Sequence, residues 1–429
     1  MYTLGFPFAP WKDPSPVADG PAIYKYIEDT ANKFNITEKI QFNHRATAAS
    51  FSSAEGRWTV SVDANGRPKT IRAKYIFWCS GYYSYTDPYK ADIKGLDSFK
   101  GKVVHPQFWD EDLDYTNKEV VVIGSGATAV TLLPAMADKV KHITMLQRSP
   151  AYFVAMPKAD PTGKVVRLLL PGFIANPIMR FIWASKYFLF FKACRAFPNM
   201  MRRILLFMAK WHLDKNTPID PHFTPDYKPW DQRICFVPDG DMFASIRSGK
   251  ASVVTDHLEN VTESGINLKS GQKLNADIII PATGLEMQFF GGAKILVDGK
   301  DYNPGEHFFY KGFMLDGAPS MFVAMGYTTI SWSLGCDLIA QHACKIVQKL
   351  EKEGKDYVVA TPKKGVTLEE TATTNLKSGY LQRAASKLPK AATSGPWYMR
   401  SNYFYDRWAT WLDSCTDSLE YKNAHLKSS

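Results

Sequence analysis

The chain has 429 residues, 45% hydrophobic and 22% charged, enough apolar material for about two or three domains with cores, which excludes a disordered or low-complexity protein. Lysine and arginine exceed aspartate and glutamate by ten, which favours an anionic partner such as a dinucleotide, a nucleic acid or an acidic membrane surface without choosing among them. The six cysteines, at 79, 194, 235, 336, 344 and 415, form no Cys-x-x-Cys pair and no dense disulfide framework, so a reducing, cytoplasmic setting is expected.

The first residues lack the basic-then-apolar pattern of a signal peptide, and the last are not a peroxisomal Ser-Lys-Leu. A Pro-rich extended segment leads to a predicted helix over residues 23–34. Strands are predicted at 40–42 and 58–62, a hairpin turn at Asn65-Gly66, and a buried strand over 73–81 that ends in small residues. Residues 119–123 form a continuous apolar strand, followed by a glycine turn, a helical pattern running to about Asp138, and another strand over 143–146.

Residues 165–215 are apolar and aromatic but crossed by eight lysines and arginines, from Arg167 to Lys210. No uncharged run there approaches the roughly 18 residues that span a bilayer. The preferred reading is a set of buried helices, with a basic interfacial surface, and so peripheral membrane contact, as the second reading.

The early order then repeats. Strands are predicted at 252–254 and 265–268, a turn at Ser270-Gly271, and a buried strand over 276–284. Another strand covers 321–325, and Leu334, Leu338, Ile339, Val347 and Leu350 mark the inner face of a helix that Ser331 or Ser333 would cap.

Each repeat is a small antiparallel piece returning into a parallel sheet. The expected fold is therefore α/β, with two dinucleotide-binding, Rossmann-like domains of disulfide-reductase type and a helical insertion. Only one glycine entrance is present, so the first domain is expected to lack its initial strand-helix-strand unit, about 50 residues.

At that entrance, Gly124 permits a tight turn, Gly126 lets the backbone approach a pyrophosphate, and Ala129 stands where helix and strand pack closely. Ser125, Ala127 and Thr128 complete the turn and the helix start, whose amides suit phosphate. Arg148 and Ser149 follow the next strand where an acidic residue would bind ribose hydroxyls. An arginine suits a 2′-phosphate, hence NADPH over NADH, although Arg148 could instead serve a surface ion pair.

Just upstream, Phe99, Gly101, His105, Trp109 and Asp110 match every fixed position of Phe-x-Gly-x-x-x-His-x-x-x-Trp-[Pro/Asp]. On this motif, and on the Gly-Ser-Gly-Ala-Thr-Ala turn, the chain resembles the Baeyer-Villiger monooxygenases, class B flavoproteins, over nearly its whole length. The resemblance implies FAD and NADP(H) as cofactors, and a small organic substrate and O2 as partners. It also implies oxygen insertion into a ketone or aldehyde through a C4a-peroxyflavin.

In the family the linker histidine tunes domain motion, and one arginine from the nicotinamide domain reaches the flavin. The matching position is Arg233, for which a salt bridge to Asp231, Asp239 or Asp241 is the plainer alternative. Thr283 and Gly284 after the second buried strand, and Gly326 and Tyr327 before the late helix, complete the implied cofactor contacts. The family's first glycine fingerprint and its flavin-ribose acid would fall before Met1.

The implied organisation is a partial FAD domain with linker over 1–110, the NADPH domain over 111–155 and 230–284, a helical insertion over 156–229, and a return to the FAD domain with a C-terminal cover over 285–429. Two alternatives remain: an enzyme that oxygenates nitrogen or sulfur, or a non-catalytic remnant that binds NADP but not FAD. No metal site is expected, because the nine histidines show no ligand spacing. No nucleic-acid role is expected either.

Overall fold

Asn65 and Gly66 both adopt positive φ, +55° and +77°, the geometry of a two-residue hairpin turn whose twist matches its flanking strands. They belong to a computed structural model that describes residues 1–13, 17–371, 379–393 and 395–425. Helix α1 (Gly20–Lys33) comes first. It starts earlier than predicted because the Asp19 carboxylate caps the Ala22 amide and Pro21 occupies the first turn.

Strands β1 (His44–Ser52), β2 (Arg57–Ala64) and β3 (Arg67–Ala73) then form an antiparallel meander. The strand predicted at 40–42 is absent. Those residues are exposed, and Asn43 at φ +55° breaks the extended backbone, so pairing begins at His44. β3 was not predicted; it is a polar edge strand with almost no buried face.

β4 (Ile76–Trp78) and β5 (Lys102–Val103) lead to β6 (Glu119–Ile123), α2 (Ala127–Ala137), β7 (His142–Gln147) and β8 (Phe153–Met156). Three helices follow, α3 (Pro161–Leu169), α4 (Gly172–Ala196) and α5 (Pro198–His212), then β9 (Cys235–Pro238) and α6 (Asp241–Arg247). β10 (Ala251–Thr255) precedes a second meander, β11 (Leu258–Thr262), β12 (Gly265–Leu268) and β13 (Lys273–Asn275), and then β14 (Ile278–Pro281).

β10, β7, β6, β14 and β5 make one wholly parallel sheet in that order. Val120 and Val122 pack with Leu133, Met136, Phe243 and Ile246 of α2 and α6. Val121 faces the other way, onto Ile266 and Leu268 of the second meander. Both faces are covered, which is why β6 reads as an unbroken apolar run.

β15 (Lys294–Val297) joins β1 in parallel, with β16 (Lys300–Asp301) on its outer edge. β17 (Met321–Val323) pairs in parallel with β4. Phe322 faces α7 (Trp332–Lys352) and its Ile339, Ala343 and Ile346, while Met321 and Val323 face Trp58 and Trp78. Each meander therefore feeds a short parallel strand. α8 (Gly379–Arg383) and α9 (Tyr403–Leu412) complete the described helices, and α9 lies against α7.

A buried network fastens the α7 to α9 region. The His342 Nε2 hydrogen bonds to Asp413, Lys311 pairs with Asp413 at 2.6 Å, and Arg400 donates to His342 Nδ1 at 2.9 Å. Cys415 stands beside them. The two cations surrounding this group make it an ion-pair network rather than a cradle for a cation.

The helical insertion corrects one expectation. α3, α4 and α5 form, but Leu168, Leu169, Phe173, Phe181, Leu189, Phe197, Phe207 and Trp211 point into solvent. Apolar spacing counts residues that avoid water without saying what covers them. Among the described residues, no helix is long and apolar enough to cross a membrane.

Candidate functional site

β6 stands at a switch point: the chain continues to β7 on one side, and β14 returns on the other. In open α/β sheets, ligands bind beyond the carboxyl ends of strands at such a place. Gly124 has φ +139°, and a Cβ there would lie 2.3 Å from the Ala282 carbonyl oxygen. No side chain fits. A Cβ on Gly126 would meet nothing within 4 Å, so the first turn of α2, which no side chain caps, opens its amides to free space.

Ala127 and Thr128 are exposed at this helix start, while Ala129 is fully buried against the sheet. The Ser125 hydroxyl donates to the Ser149 carbonyl at 2.9 Å, which ties the turn to the end of β7. Arg148 is exposed there and forms no ion pair among the described residues, unlike the surface pairing considered for it.

Across the switch point, the Thr283 hydroxyl is buried without a hydrogen-bond partner among the described residues, and Gly284 lies beside the Arg383 guanidinium. A buried polar atom left unpaired is rare in a folded protein and suits a polar ligand. The fold thus brings 124–129, 148–149 and 283–284 to one edge, with the open backbone, the free cation and the orphaned hydroxyl that a dinucleotide needs.

The two chain crossings between the β4 and β14 units run side by side. The Ser84 amide donates to the Glu286 carbonyl at 2.9 Å, and the Gln288 amide to the Tyr82 carbonyl at 3.0 Å. The motif over 99–110 braces this joint. Phe99 is buried with its ring over Gly101, Trp109 packs against the β6 core, and Asp110 pairs with Lys102 at 2.5 Å. His105 hydrogen bonds to the Tyr89 carbonyl, and Gln107 donates to the Ser84 carbonyl at 2.6 Å.

Arg233 is exposed just before β9, and the carboxylates considered for it are engaged elsewhere. Asp231 pairs with Arg195 at 2.8 Å, Asp239 accepts the Lys158 amide, and Asp241 accepts the Met242 amide. Its charge acts on Tyr380 instead. Burial raises the Tyr380 phenol above its ordinary range, and Arg233 opposes that shift. The Tyr380 ring sits 6.0 Å from Tyr83, which touches Tyr82, which in turn lies 5.1 Å from Trp332 at the start of α7. Arg233 is therefore within electrostatic range of this ring cluster at the joint between the two parallel units.

Gly326 lies under the Trp332 ring, where a Cβ would come within 2.2 Å of it; packing alone demands glycine there. The Tyr327 side chain is not at this joint. Its ring is buried with Leu334, Leu338 and Tyr403, and its hydroxyl donates to Asp406 at 2.8 Å. Ser331 occupies the N-cap position of α7, but its hydroxyl bonds with Thr3 and not with a helix amide. The α7 amides are thus free of a side-chain cap, as at α2, and the Trp78 indole nitrogen in β4 is buried without a hydrogen-bond partner among the described residues.

Tyr380 and Arg383 carried no residue-level expectation. The Arg383 guanidinium lies 3.7 Å over the Tyr89 ring and borders Gly284. Only folding brings the C-terminal segment back onto this edge, so no local pattern could have marked it.

A sequence profile of the flavin-binding monooxygenase-like proteins matches residues 6–297. The chain belongs to this family. It is a class B flavoprotein monooxygenase, an enzyme type that works with FAD and NADPH. It is 43% identical over 95% of its length to the FAD-containing monooxygenase EthA of Mycolicibacterium smegmatis, of which it covers 82%. It is 40% identical over 98% of its length to the probable FAD-binding monooxygenase AlmA of Acinetobacter baylyi, of which it covers 87%. In fold it resembles an oxidized steroid monooxygenase bound to NADP, with a TM-score of 0.75, 21% identity, and coverage of 98% of this chain and 89% of that one.

Proposed function

We propose that this monooxygenase inserts one oxygen atom of O2 into a ketone or aldehyde, giving an ester or lactone. The observation that carries the reading is Arg233: an exposed cation just before β9, with no carboxylate partner among the described residues and within electrostatic range of Tyr380, whose ring lies 6.0 Å from Tyr83 at the joint of the two parallel units.

In this reading the chain holds two dinucleotide-binding domains. Residues 111–155 and 230–284 bind NADPH, 1–110 and 285–429 contribute to the FAD side and cover, and 156–229 is the helical insertion. The open amides of Gly126 to Thr128 hold the NADPH pyrophosphate, Arg148 takes the 2′-phosphate, and Thr283 satisfies its orphaned hydroxyl on the nucleotide. The uncapped start of α7, the Gly326 turn and Trp78 face the FAD side. Bound FAD and NADPH supply the electrons and the oxygen activation.

The protein's own part is electrostatic and positional. The Arg233 guanidinium stays charged and donates in a fixed plane, so it stabilises negative charge that develops on oxygen at the joint. His105 holds the linker and so positions the two units without touching substrate.

The test is NADPH consumption that depends on an added ketone, with ester detected as product. Arg233→Ala should keep NADPH binding and lose the ester; full activity in that variant sinks the arginine's role. Product from a sulfide or amine, with none from ketones, overturns the choice of substrate.

A further inference from the structure

We propose that the helical insertion α3 to α5 docks this enzyme onto an anionic lipid bilayer. Residues 161–213 contain nine lysines and arginines and no aspartate or glutamate, a net +9 in a chain whose total is +10. The excess charge is thus concentrated in one helical unit.

That unit also displays apolar side chains. At the turn between α3 and α4, Leu168, Leu169 and Phe173 are 84%, 72% and 79% exposed. Along α5, Phe197, Met200, Ile204, Phe207 and Trp211 recur at spacings of three and four and face solvent, Trp211 at 76%. The other side of the same helix is seated in the protein through Met201, Leu205 and Ala209. α5 therefore has two apolar faces, of which the fold uses one.

Basic residues border the exposed stripe. Arg203 and Lys210 lie among Met200, Ile204, Phe207 and Trp211, and they, with Lys164, Lys186 and Lys192, are exposed and have no carboxylate partner among the described residues. Apolar side chains ringed by unpaired cations fit an interface where hydrocarbon lies just below anionic headgroups. A second copy would set this charge against its own kind. A nucleic acid offers no apolar phase to Leu168 and Leu169. The surface lies in the plane of the interface rather than crossing it, since no described helix can span. On α4 of the same unit, the exposed Phe181 also lines a cavity of about 460 Å³ between α4, α9 and the N-terminal segment.

The experiment is sedimentation of the purified chain with phosphatidylcholine vesicles, with and without phosphatidylglycerol. Wild type should pellet with the anionic vesicles, stay in solution with the neutral ones, and be released by salt. Leu168→Ser with Leu169→Ser, and separately Arg203→Glu with Lys210→Glu, should weaken binding by about tenfold or more while melting like wild type. No pelleting with anionic vesicles overturns the proposal, as does pelleting that neither pair of substitutions changes. So does a surface that only mediates self-association, seen as a concentration-dependent dimer lost in these variants without vesicle binding. If the variants fail to fold, tryptophan emission decides: a blue shift on adding anionic vesicles that Trp211→Phe reduces supports docking, and an unchanged spectrum refutes it.

Discussion

The His105 Nε2 lies 3.3 Å from the Tyr89 carbonyl oxygen while its Nδ1 accepts the Gln107 amide, also at 3.3 Å. One neutral tautomer satisfies both bonds, with the proton on Nε2. The Tyr89 ring in turn carries the Arg383 guanidinium, which borders Gly284 at the end of β14. A linker-motif residue is thereby connected to the edge that holds Gly284.

His105→Ala frees Tyr89 and should lower kcat by roughly tenfold through misplacement of the two units. KM for NADPH should change little, and stability should fall by only about 1 kcal/mol. His105→Gln keeps a donor near Nε2 and should restore most of the rate. Steady-state kinetics on the two variants check this; equal loss in both would show that the imidazole acts otherwise.

Arg148 is predicted to read the 2′-phosphate. Arg148→Ala should raise KM for NADPH by about thirtyfold, equivalent to about 2 kcal/mol for a lost charge-assisted bond, and leave NADH almost unchanged. Comparing the two cofactors on the same variant is the measurement. Parallel losses with both would assign Arg148 to structure rather than to phosphate.

Gly124→Ala should abolish NADPH binding and cost about 3 kcal/mol or more of stability. Its methyl would meet the Ala282 carbonyl, and φ +139° strains any side chain. Calorimetry and NADPH titration read the two effects separately. A variant that melts normally and binds normally would contradict the geometry.

Stability should also depend on acid through the network at α7. Burial lowers the His342 imidazole pKa, with the hydrogen bond to Asp413 opposing part of that shift. The unfolded chain therefore binds this proton first, and stability should fall as pH drops below about 6.5. Burial raises Asp413, but the hydrogen bonds from His342 and Lys311 outweigh it and hold the carboxyl well below its usual range. Its contribution is complete above about pH 4 and lost on further acidification. Urea midpoints across pH check both steps. Asp413→Asn should be less stable at neutral pH by about 3 kcal/mol, with a flatter acid limb.

The sheet around β6 was legible because both of its faces are covered, so Val120, Val121 and Val122 give an unbroken apolar signal, and because Gly124 and Gly126 mark a turn no other residue can make. β3 was not legible because an exposed edge strand needs no apolar pattern. Tyr380 and Arg383 join the site only through long-range folding. Residues 165–215 misled for a physical reason: Leu205 and Phe207 carry the same hydrophobic signal, and only the packing shows that one is buried and the other exposed. Tyr327, expected at a cofactor, turns its ring into the α7 to α9 interior because Asp406 offers its hydroxyl a buried acceptor.

The most direct test of the central claim is oxygen transfer under isotopically heavy dioxygen, with the product of a ketone analysed by mass spectrometry. Wild type should yield an ester carrying one heavy oxygen atom, and Arg233→Ala should bind NADPH yet give no labelled ester. Unlabelled product from the wild type, or labelled ester from Arg233→Ala at the wild-type rate, would contradict the account.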